Sequence, residues 1–64
     1  MNMKIRRIQM GLTQRDLCEI LSMSNATIVK IEKGELDGIR IGTLTKVANA
    51  LGMSIKELFF ENEK

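Results

Sequence analysis

The side chains best suited to acid–base chemistry are Asp16, Glu19, Glu57 and Glu61, and the one thiol is Cys18. For these to catalyse anything, a nucleophile with its base, a phosphate-cradling loop or a metal cage would have to join them. The chain has no histidine, a single cysteine and no glycine-rich phosphate loop, so no enzyme, zinc site or cofactor is expected. An internal disulfide is excluded. Cys18 reads as a small buried thiol and the five methionines as gap fillers.

A different chemistry is available between residues 25 and 33. Taking Ile28 and Ile31 as the buried side of a helix at about 100° per residue, Ala26, Val29, Lys30 and Lys33 fall on the opposite side. Asn25 and Thr27 lie at its margins. Such a row is either the solvated face of a small bundle or a surface for recognition. An outward Val29 favours recognition.

Positioning that row requires helices, and apolar spacings of three and four run through the whole chain with no alternating strand pattern. Helix one is expected over about 2–10, stopped by Gly11. Thr13 caps helix two (about 14–21), with Leu17 and Leu21 inward, and Ser24 caps helix three (about 25–33), ended by Gly34. Residues 35–40 read as a loop. Leu44, Val47, Ala48 and Leu51 set helix four (about 42–51), stopped by Gly52; Ser54 and Glu57 form a capping box for helix five (about 55–60). Helices two and three, joined by Ser22-Met23-Ser24 and clamped by Leu17, Leu21, Ile28 and Ile31, have the form of a helix-turn-helix, about 14–33.

With 64 residues, 44% of them hydrophobic but only Phe59 and Phe60 aromatic, the chain supports one small aliphatic core and a single domain, 1–64. No apolar run approaches the roughly 18 residues of a membrane span, and no signal peptide opens the sequence. A free-standing cytoplasmic protein is expected, nucleoid-associated when bound. The net charge of +2 is unevenly spread: residues 1–34 hold six basic and three acidic side chains, and residues 35–64 hold four and five. A basic half joined to a slightly acidic one is compatible with DNA on one side and a protein contact on the other, and taken alone equally with ordinary solvated charge.

The run Arg7-Ile8-Gln9-Met10-Gly11-Leu12-Thr13-Gln14, followed by Leu17, Ser24, Ile28 and Ile31-Glu32-Lys33-Gly34, resembles the Xre-type family of phage repressor and Cro regulators. Ala48 to Ser54 is similar to that family's fourth helix and the turn into its fifth. The resemblance covers nearly the whole chain. It implies an all-α, five-helix, lambda-repressor-like domain that binds double-stranded DNA. By it, Gln14 would meet a backbone phosphate, and Ser24, Asn25, Ala26, Thr27, Val29 and Lys30 would face DNA. The chemistry agrees: Gln14 stands at a helix N-terminus, Asn25 can pair with adenine, and Ala26 or Val29 can meet a thymine methyl. Lys30 and Arg40 can neutralise phosphates. Arg15 could approach phosphate or simply pair with Glu19. Arg7 shares the apolar Met3/Met10 face at i, i+4 and i+7, and Glu32 follows Ile31 near the buried side of helix three. A partly or wholly buried Arg7–Glu32 ion pair is therefore expected rather than two unrelated surface charges. The family pairs matching residues in the same way.

Two departures stand out. Ser22 occupies a place where the family usually has glycine, so the turn would hold strain if left-handed. The loop after Gly34 is longer, lacks the common proline and carries Glu35 and Asp37. The expected function is a transcriptional repressor acting as a homodimer on a palindromic operator, closed through Ile55, Phe59 and Phe60. Ile55, Leu58 and Phe59 can seal the monomer core, which leaves Phe60 outside it. The alternative is a protein-interaction module on the same fold, an antitoxin or antirepressor facing a protein antagonist. Ile20, Leu36, Ile39 and Phe60 support that alternative as apolar residues the core does not need.

Overall fold

A computed structural model describes residues 2–60; Met1 and residues 61–64, the two ends of the expected 1–64 domain and the site of Glu61, lie outside the described residues. The order is α1 (Met3–Gln9), α2 (Gln14–Leu21), α3 (Asn25–Glu32), α4 (Ile41–Ala50) and α5 (Lys56–Phe60), the last a single π-type turn. This is the all-α, five-helix architecture with a helix-turn-helix. No described helix is long and apolar enough to cross a membrane.

Caps set the boundaries. Asn2 stands before α1, where its Oδ1 accepts from the N–H groups of Lys4 and Ile5. Thr13 and Asp16 exchange hydrogen bonds across the start of α2: Asp16 N–H to Thr13 Oγ1 (3.0 Å) and Thr13 N–H to Asp16 Oδ2 (2.8 Å). Ser24 Oγ accepts from Thr27 N–H at the start of α3. Ser54 and Glu57 close the second box. Each such cap satisfies amides that have no partner inside the helix and is worth about 1 kcal/mol.

Every helix contributes to one core. Met3 comes from α1, Leu17 from α2, Ile28 and Ile31 from α3, Leu44, Val47 and Ala48 from α4, Leu51 from its end, and Leu58 from α5. α2 packs on both α3 and α4 and so fixes the reading unit to the rest. Fully burying one Leu, Ile or Val contributes about 1.5–3 kcal/mol, so the aliphatic set alone can hold a domain with no buried aromatic cluster.

Three expectations need correction. Leu36 and Ile39 are not spare: both pack partly buried against the core. The loop folds back through Gly34 and Gly38, each at a positive φ that costs glycine little, with Leu36 N–H bonded to Gly34 O and Ile39 N–H to Leu36 O. Met10 does not extend the buried Met3–Arg7 face, because it is the C-cap of α1 and leaves the helical winding exposed. Helix five is wound more widely than an α-helix, and no residue pattern signals it.

Candidate nucleic-acid interface

Leu17 of α2 and Ile28 of α3 are wholly buried against each other's helices, and Ile31 nearly so. With that side of α3 committed, Asn25, Ala26 and Lys30 stand exposed, and Thr27 and Val29 are half-buried at the edge of the same face. Val29 is thus less open than its place on the outward side suggested. The Thr27 hydroxyl lies 3.0 Å from Ser24 Oγ, so both hydroxyls are engaged in the cap. Asn25 Oδ1 faces the Cys18 thiol at 3.8 Å, a weak contact that a stronger donor displaces at little cost.

The chain enters α3 through Ser22, which sits in the left-handed region at φ 55°, ψ 44°. Among the described residues it is the one non-glycine at positive φ. A side chain there costs roughly 1–2 kcal/mol.

The structure brings Arg7, Gln14 and Glu32 together. Arg7 Nε donates to Glu32 Oε2 at 2.6 Å and Arg7 Nη1 to the Leu12 carbonyl at 2.7 Å. Both side chains of the pair are at most 10% exposed. Gln14 Nε2 donates to Glu32 Oε1 at 3.0 Å, a contact that nothing in the residue spacing announced. Arg15 and Glu19 approach to 3.7 Å with side chains 88% and 71% exposed, an ion pair of little energetic weight. Arg40 is exposed at the N-cap of α4 and makes no side-chain cap.

Asp16 carries its charge in the first turn of α2, held below its ordinary pKa by the Thr13 N–H and then by the Thr13 hydroxyl. Of the residues expected at a dimer contact, Ile55 and Phe59 pack partly buried against the core. Phe60 is 54% exposed, its ring edge-on to Phe59 with centroids 6.3 Å apart. Among the described residues no group of His, Cys, Asp and Glu could hold a metal ion.

A family model described as helix-turn-helix matches residues 3–58. The chain is 37% identical to an uncharacterized HTH-type transcriptional regulator of Methanocaldococcus jannaschii, over 89% of this chain and 85% of that protein. It is 30% identical over 92% of its length to a segment of the isomerizing glutamine–fructose-6-phosphate aminotransferase of the same organism. There the chain spans only 6% of the enzyme's length. No solved structure matches at the same level of significance.

Proposed function

The chain belongs to the helix-turn-helix family of Xre-type transcriptional regulators, and from that premise we propose that it is a repressor that reads an operator with α3. One observation carries this reading: the exposed Asn25, Ala26 and Lys30, with Val29 beside them, share the side of α3 opposite the buried Ile28 and Ile31. In this role Asn25 pairs with a base edge and Ala26 and Val29 meet methyl groups. Lys30 and Arg40 neutralise phosphates, and Gln14 and Arg15 approach the backbone at the N-terminus of α2. Ser24 and Thr27 face DNA while holding their cap. Residues 1–64 act as one module.

We further propose a homodimer closed through Ile55, Phe59 and Phe60. A phenylalanine as exposed as Phe60 is best covered by a second copy, and a two-fold axis sets two reading helices about 34–36 Å apart, one turn of DNA. Ile5, Ile8 and Ile20, each more than half exposed, favour a second reading in which the main partner is a protein.

A gel-shift titration against the DNA upstream of its own gene tests the proposal. Ala26→Asp and Val29→Asp should abolish binding, and unchanged affinity in both removes α3 as the reader. Lys30→Ala should lower the salt dependence by about one phosphate contact, and Asn25→Ala should cost about 1–3 kcal/mol at a single base pair. Sedimentation of the wild type and Phe60→Glu tests the dimer. A wild type that stays monomeric both free and on DNA ends that part.

A further inference from the structure

Glu32 is the last residue of α3, yet its carboxylate is divided between two other helices. Oε2 accepts from Arg7 of α1, and Oε1 accepts from Gln14, the first residue of α2. The Glu32 side chain is 6% exposed, so water offers its oxygens few competing partners. A carboxylate only accepts and a guanidinium only donates, whereas a carboxamide has one end of each kind. Facing Glu32, Gln14 must present its NH2 end, since its carbonyl would meet another lone pair. One Nε2 proton goes to Glu32 and the second remains to be given.

We infer that Glu32 is a positioning residue for Gln14, ordering its carboxamide before DNA arrives. This rests on the phosphate contact proposed above for Gln14. An unanchored glutamine must give up its rotamer freedom on binding, a cost set against the contact it makes. Held by Glu32, it has already done so. The same link ties the backbone contact at the start of α2 to the last turn of the reading helix. The sign of the effect is unusual. Glu32 is an anion near a DNA-facing surface, and simple electrostatics makes it unfavourable for binding; through Gln14 it favours binding instead.

The test is a double-mutant cycle using a labelled mixed-sequence DNA duplex, because a phosphate contact needs no particular bases. Wild type, Gln14→Ala, Glu32→Gln and the double variant are titrated well below their melting temperatures. In Glu32→Gln, Arg7 claims the one acceptor of the new amide, leaving an NH2 toward Gln14 and forcing its carbonyl inward. Gln14→Ala and Glu32→Gln should each weaken binding about fivefold, one net hydrogen bond, and Glu32→Gln should have no further effect in the Gln14→Ala background. Tighter binding by Glu32→Gln, or the same loss in both backgrounds, overturns the role. So does binding lost in Gln14→Ala but unmoved by Glu32→Gln. A wild type with no affinity for the duplex overturns the DNA reading and this role with it. Should Glu32→Gln not fold, amide NMR of the free wild type decides: a Gln14 side-chain NH2 as rigid as the backbone supports the inference, and a freely averaging one overturns it.

Discussion

The chain makes the same turn twice. Leu21-Ser22-Met23-Ser24 leads from α2 to α3, and Leu51-Gly52-Met53-Ser54 leads from α4 to α5. In each, the methionine N–H reaches back five residues, Met23 to Cys18 O at 3.0 Å and Met53 to Ala48 O at 2.9 Å, the Schellman way of ending a helix. Each serine then caps the next helix. The left-handed position is Ser22 in one (φ 55°) and Gly52 in the other (φ 69°). The third residue after the capping serine is bonded to it in both, but it is Thr27 in α3 and Glu57 in α5. The main-chain pattern therefore defines the turn, and the side chains adapt it to its place. The turn into the reading helix tolerates backbone strain, and its cap contains no anion where phosphate is expected.

Neighbouring arginines of α1 anchor the two turns differently, and the difference is testable. Arg7 holds the α2–α3 unit through buried Glu32, whereas Arg6 Nε donates to the Leu51 carbonyl at 2.8 Å. Glu32→Ala strands a buried guanidinium and should lower unfolding free energy by about 3–5 kcal/mol. Glu19→Ala, on the exposed pair, should cost less than about 1 kcal/mol. Denaturant unfolding of both proteins measures the gap, and equal midpoints would show that the Arg7 anchor is not what fastens the unit.

Exchanging the left-handed residues sharpens the comparison at a smaller scale. Gly52→Ser should destabilise by about 1–2 kcal/mol, since it puts a side chain at φ 69° and a Cβ 3.3 Å from Arg6 Nη2. The reverse change, Ser22→Gly, relieves the same kind of strain but loosens the unfolded chain. The net gain should be a few tenths up to about 1 kcal/mol. Thermal melts that moved the two variants in the same direction would refute strain as the difference between the turns.

Much of this was legible in residue spacing. Ser24, Ser54 and Glu57 announce their caps, and the spacing of Ile28 and Ile31 alone orients α3. What local pattern could not supply is tertiary. The Gln14–Glu32 bond joins residues 18 apart whose meeting depends on how α2 crosses α3. Leu36 and Ile39 looked superfluous because a loop has no period from which to infer its inward side. Asp16 could have been found: Thr13 followed three residues later by a carboxylate is a box signature, here with the shorter acid.

The smallest effect separates the caps by their titration. Glu57 is held below its ordinary pKa of 4.5 by the Ser54 N–H and then by the Ser54 hydroxyl, as Asp16 is held below 3.8 by the same groups of Thr13. A carboxylate whose folded pKa is depressed binds its proton more readily when unfolded. Its contribution is complete above the unfolded value and disappears as pH falls through the folded one. The boxes at α2 and α5 should therefore weaken in acid, each from just above its ordinary value downward, while the Ser24–Thr27 cap of α3 has nothing to titrate. Glu57 is exposed and Asp16 only partly covered, so the change is a modest tilt of the acid limb. Melting temperature followed from neutral pH down through this range should fall less steeply in Asp16→Asn and in Glu57→Gln than in the wild type. Thr27→Val, which removes the α3 hydroxyl pair, should lower the whole curve without changing its slope. A slope unchanged in both carboxylate variants would place the acid sensitivity elsewhere in the molecule.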